Sequence, residues 1–384
     1  MRRSLLGTLT ACAVIASAVG LARADSDSPP PRSVIENAFR PVGERNGVPV
    51  YRKELLLNVF TVDQIYRSMR GPLDTHQFVS VRGAPPERLW VTGFEAVMVE
   101  PDGTTPMSQE FMCHSNLQLL GDDHYQRFRT QIPPSGGRLF SLAQGQLSIQ
   151  LPDGFGVPIM SDQQVRVGAQ VLNHNVVDET VEVRHRISLD FVRERDLPGP
   201  LKPLHPRAVF GTKLIEGPNG YLQVPLDEVD PAKHGEGCQV GEDAGGNVGH
   251  GFADNQGRRF TGFWRLPPGR EENHTLVTRL LALPFDTTLH YVAVHLHPFA
   301  ESVELRDLTS GKTVYKSKTR QADQGIGLAE VEYFSSEEGL PLYKDHEYEL
   351  ISIYNNTSGT EQDAMATMFL YIHLTDLTEV AARP

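Results

Sequence analysis

In several runs of this 384-residue chain, apolar residues alternate singly with polar ones. Val181 to Phe191, Leu289 to His297, Ser302 to Leu305 and Glu347 to Tyr354 all carry the pattern. A period of two sends successive side chains to opposite faces of a strand, so each run predicts a strand with one apolar face. The 34 glycines and 27 prolines punctuate such runs, as turns between many short strands require. The prediction is an all-β protein of two tandem antiparallel β-sandwiches, jelly-roll-like in character. The best helical signal is Val62 to Met69, opened by Thr61 with Gln64 three positions on, which is capping-box spacing.

The same punctuation suggests where the chain divides. Residues 1–24 predict an export signal. Arg2 and Arg3 precede an apolar run from Leu5 to Leu21, and Ala22-Arg23-Ala24 matches a cleavage site. The mature protein is therefore expected in a periplasm or outside the cell. Leu9-Thr-Ala-Cys12 offers a lipoprotein alternative, which the early position of the cysteine disfavours. Residues 25–48 predict a flexible leader. Leu197 to Pro206 holds four prolines, which argues against a central strand. It predicts a linker at 197–206 between an N-terminal sandwich at 49–196 and a C-terminal one at 207–378. The acidic, Gly-rich stretch from Asp227 to Arg258 predicts a long surface loop.

Charge and cysteine count narrow the partners. A net charge of −12 argues against nucleic acid, which favours a basic face. No segment after the signal is apolar for long enough to span a bilayer. Only Cys113 and Cys238 follow residue 24, enough for one bridge or two thiols. The chain has no G-x-S-x-G elbow, no H-E-x-x-H helix and no Gly-rich phosphate loop.

Candidate chemistry lies in the histidines. His295 and His297 stand two apart in an alternating run, so both imidazoles leave one strand face. Met365 lies about seventy positions later in a second strand-like segment. Two imidazoles and a thioether form a donor set of mixed softness, which holds copper in either oxidation state and suits Mg, Ca or Mn poorly. The N-terminal half offers Cys113-His114 and His174. Strict alternation sends Cys113 and His114 to opposite faces, so both reach one metal only if the strand twists or bulges there. His185 lies on the apolar face of its strand and reads as a core or supporting histidine, and His124, His346 and His373 are further candidates.

With Val294-His-Leu-His297 followed by Asp363-Ala-Met365, the chain resembles the copper type II, ascorbate-dependent monooxygenases, the family of peptidylglycine α-hydroxylating monooxygenase and dopamine β-monooxygenase. The resemblance spans roughly residues 50–378 and is clearest after about 285. It implies an oxygen-activating copper on His295, His297 and Met365. It also implies a second copper on His114 and His174, with Cys113 where the family has a histidine. Ascorbate or a similar external reductant is implied as well. Ala293, Thr367 and Phe369 stand where peptide-hydroxylating members carry the Arg, Asn and Tyr that hold a substrate carboxylate. The implied substrate is a non-carboxylate small molecule or peptide, hydroxylated at a C–H bond. One copper ion or two is expected; the alternative expectation is a non-enzymatic protein that binds one copper for storage, delivery or sensing, or has lost the metal.

Overall fold

A computed structural model describes residues 35–36, 40–68, 70–81, 85–119, 124, 128, 137–215, 252–253 and 256–373. Strands dominate. The longest helix among the described residues is the single turn Thr278–Leu281, and none is long and apolar enough to cross a membrane. The export signal, Cys238 and most of the Asp227 to Arg258 loop lie outside the described residues.

The first sandwich sets the strands Val48–Leu56, Val181–Arg193, Arg88–Val99 and Phe155–Met160 against a four-stranded sheet. That sheet runs Leu73–Val79, Gln164–Val171, Met112–Leu119, Arg138–Ala143. Leu55, Phe94, Phe140, Val167 and Ile187 fill the space between. The second sandwich sets Lys202–Phe210, Ala366–His373, Thr287–Leu296 and Phe334–Leu342 against five further strands, over Val292, Leu305, Leu350, Tyr354 and Leu370. Alternation is thus converted into packing, as the sequence predicts.

Three local expectations need correction. The segment 197–206 is not simply a linker, because Lys202–Phe210 is a strand. It pairs with Ala366–His373 from Leu204↔His373 to Phe210↔Thr367. On its other side only Lys202 and Pro203 pair, with Phe155 and Gly156. For most of its length it is an edge toward the first half, and an edge accommodates proline. It joins the principal sheets of both sandwiches into one twelve-stranded sheet. The leader carries strands: Ile35–Glu36 pairs with Leu55 and Leu56, and Arg40–Arg45 folds back on Val48–Leu56 through Asn46 and Gly47, with φ of 52° and 75°. Two successive positive φ values are what a two-residue hairpin turn needs, and Asn-Gly supplies them. The helix expected over 62–69 does not form in its described part. Phe60–Val62 pairs with Val181–Val183, and Tyr66 bridges to Asn173. Long-range pairing here overrides a local capping signal.

The strands Thr287–Leu296 and Ala366–His373 are covered on both faces. Val292, Val294, Leu370 and Ile372 face the second core, whereas Tyr291, Ala293, Phe369 and Tyr371 pack into the first. The Tyr371 hydroxyl donates to the Leu139 carbonyl at 2.9 Å, and the Gln146 amide donates to the Tyr291 hydroxyl at 3.2 Å. After the register shift between Leu289 and Tyr291, the odd-numbered positions of Thr287–Leu296 therefore look across a seam at the first half. His295 is one of them.

Candidate metal centre

His295 is opposite Thr367, one residue before the end of its strand, and His297 follows just beyond. Both are buried, at 6% and 2% exposure. Their ring centroids are 5.4 Å apart. His297 Nδ1 lies 2.6 Å from Asp363 Oδ1, and both residues are buried. The carboxylate can only accept, so Nδ1 donates to it and Nε2 is the ring nitrogen left for another partner. A carboxylate behind an imidazole is the usual way of fixing a metal-binding tautomer. His297 Nε2 is buried with no hydrogen-bond partner, as are both ring nitrogens of His295. Each buried unpaired polar atom costs about 1–3 kcal/mol. Burial, then the positive fields of His297 and His114, holds the His295 pKa well below 6.5. It is neutral, the form that ligates.

Met365 sits in the break between Gln362–Ala364 and Ala366–His373, half-buried. The ladder His295↔Thr367, Leu296↔Ala366, continued one step, sets it across from His297. The ladder ends there because Gln362–Ala364 leaves to pair with Trp264–Leu266, and the Tyr354 hydroxyl donates to the Met365 carbonyl.

The first half supplies its residues less regularly. Between Gln170↔His114 and Val171↔Met112 the register shifts by one residue, so Cys113 is the extra residue of a β-bulge. Met112 packs into the first core, and Ser115 shares a 2.8 Å hydrogen bond with the wholly buried His185. Strict alternation forbids Cys113 and His114 a common side, and a bulge at this point removes that restriction. His114 meets His295 edge to face, ring centroids 6.2 Å apart across the seam. Its pKa is pushed down to about 3, first by burial and then by Arg138, His185 and His297. His174 has both ring nitrogens buried without a partner. Its pKa is lowered, chiefly by burial, with Asp363 and His297 among the charges that act on it.

Residues expected to form two separate sets, one in each half, are thus gathered at one seam. His114, His295 and His297 are ring neighbours, and His174 lies within the electrostatic reach of His297 and Asp363. Two imidazoles bound tetrahedrally to one ion at about 2.0–2.1 Å have centroids roughly 5 Å apart. The 5.4 Å of His295 and His297 matches this, whereas the 6.2 Å of His114 and His295 must shorten. Among the described residues no three His, Cys, Asp or Glu side chains already stand as a finished ligand group.

Asp363 and Phe263 were not singled out as functional from sequence. Asp363 is two residues before Met365, and that spacing marks a common strand face. Phe263 packs edge-on against His297 at 5.5 Å and has no sequence signature. His185, read as a core or supporting histidine, is a core residue whose ring also meets Phe60. His346 pairs with Asp307 and His373 packs on Phe155, both apart from the seam cluster.

No protein-family model matches the chain, and no curated protein matches it. Among solved structures it is similar to a peptide-N(4)-(N-acetyl-β-D-glucosaminyl) asparagine amidase, at 7% identity and a TM-score of 0.35, over 83% of this chain and 97% of that one. It is also similar to PNGF-II, at 8% identity and a TM-score of 0.32, over 88% and 84%. Similarity this low carries no information about activity.

Proposed function

We propose that the protein is a reductant-dependent copper monooxygenase with its metal centre at the seam between the two sandwiches. The observation carrying this reading is the contrast within one buried cluster. His297 Nδ1 is held by Asp363, while His297 Nε2 and both nitrogens of His295 have no partner. Buried nitrogens without a protein partner are positions that a water or an ion can satisfy, and here they stand beside a carboxylate-held imidazole. The neutral imidazoles and the thioether carried by residue 365 suit copper of either oxidation state.

His295 and His297 are the residues that would hold the ion, with Met365 as the sulfur donor and His114 as the nearest imidazole from the other half. Bound there, copper supplies one-electron chemistry with dioxygen, given an external reductant such as ascorbate. Asp363 orients His297 and keeps its proton on Nδ1. The surrounding burial keeps His114 and His295 unprotonated and excludes bulk water. Copper loading tests the reading. Bound copper with reductant-dependent oxygen uptake, both lost in His295→Ala, is expected. Copper-free protein after loading sinks it.

A specific observation favours a second reading, a non-enzymatic copper protein. Ala293 and Phe369 are packed into the first core and Thr367 is buried. The face on which relatives would hold a substrate carboxylate is filled with protein. Copper that binds tightly without oxygen uptake under any reductant would select this alternative.

A further inference from the structure

His174 is a loop residue, yet the backbone on either side of it is fixed. On one side, the Asn173 side chain accepts hydrogen bonds from Asn175 N and Val176 N, and donates to the carbonyls of Gln64 and Val176. On the other, the Asn175 side chain reaches into the second half. Its Oδ1 accepts from Ile326 N at 2.8 Å, and its Nδ2 donates to the Ile326 carbonyl at 3.2 Å and to Glu110 Oε2 at 2.9 Å. Asn175 thus pairs with the backbone of residue 326 as a strand neighbour would. Gly325 permits the approach. Its φ is +71°, and a Cβ there would stand 2.6 Å from Asn175 Oδ1. The imidazole between these braces makes no hydrogen bond.

A ring left without partners on a backbone braced from both sides is what a pre-organised ligand requires. Glu110 extends the argument, because it lies just before the strand that carries His114. Asn175, held by one loop of the second half, therefore also ties together both histidine-carrying segments of the first. We propose that Asn175 is a positioning residue, a clasp between the halves that fixes the loop carrying the His174 ring. The metal-binding consequence rests on the function proposed above; the placement of His174 does not.

The test uses the full-length protein with Asn175→Ala, and Gly325→Ala as a second variant should the first fail to fold. The metal-free readout is modification of His174 by diethylpyrocarbonate, mapped by mass spectrometry. The metal readout is copper affinity by competition titration. Tyr371→Phe, which removes a hydrogen bond elsewhere on the seam, is the control. Labelling of His174 should rise at least tenfold in the clasp variants and stay at the wild-type rate in the control. Copper affinity should fall about 10–100-fold, the range for losing a partner that orients a ligand. If the wild type takes up no copper but His174 labelling still rises in Asn175→Ala, the copper reading fails and the clasp stands. Unchanged labelling overturns the clasp. So does an equal rise in Tyr371→Phe.

Discussion

The two halves bring imidazoles to the same seam by different backbone devices. The second half uses the regular stretch from Tyr291 to the strand end at Leu296, in which simple alternation aims His295 and, just past the strand end, His297. The first half uses departures from regularity: a bulge at Cys113 that leaves His114 outward, and a braced loop that carries His174. A regular element gives the direction of its side chains from local spacing. An irregular one depends on partners that are distant in sequence. The second half should therefore behave as the rigid side of the centre, and the bulged His114 segment of the first as the part that adjusts when metal binds.

Removing a donor from the rigid side tests this most severely. His295→Ala should lower copper affinity at least 100-fold, beyond the roughly 10–100-fold typical of an orienting partner. The matching His114→Ala change should cost less, because its ring is farther from His295 than His297 is. Competition titration with a Cu(I) chelator measures both. Equal losses would erase the asymmetry.

Asp363→Asn comes next. The amide oxygen can still accept from His297 Nδ1, so the fold should persist, but the carboxylate that raises the basicity of the ring is gone. Copper affinity is expected to fall about 10–100-fold, with little change in melting temperature. Unaltered affinity would mean that the 2.6 Å contact is merely structural.

These contrasts explain what the sequence makes legible. The H-x-H spacing and the alternating runs depend on neighbours one or two residues away, and the strands and the aimed pair follow from them. Asn46-Gly47 is an equally local turn signal, obscured by the Pro/Ser-rich residues before it. The bulge at Cys113 is visible only against Gln170 and Val171 on another strand. Pro203 and Pro206 are tolerated because their strand is almost unpaired toward the first half, a fact of topology. Convergence of the two ligand sets is likewise tertiary. It follows from Tyr291, Ala293, Phe369 and Tyr371 packing into the opposite core.

Acid should destabilise the metal-free protein through its buried neutral histidines. Burial holds His185 and His205 down to about 3, against 6.5 when exposed. Below about 6.5 the unfolded chain binds protons that the folded chain refuses, so stability falls as pH falls. The slope is about 1.4 kcal/mol per pH unit for each such histidine, persisting to about pH 3. Urea unfolding at pH 7.5 and 5.5 measures it, and His185→Gln should remove one histidine's share. An equal slope in that variant would mean that His185 takes up its proton while folded.

The smallest effect belongs to the seam away from the centre. Tyr371→Phe keeps the ring stacked on Phe140 and deletes only the hydroxyl that donates to the Leu139 carbonyl. A buried hydrogen bond of this kind contributes about 1 kcal/mol, which for a protein of this size is a shift of about 2 °C or less in melting temperature. Copper affinity should not move, because Tyr371 supports the packing between the halves and touches none of the imidazoles at the centre. If the hydroxyl altered copper binding as much as Asp363→Asn does, packing and ligation would be one cooperative unit. The distinction between a rigid half and an adjusting segment would then lose its physical basis.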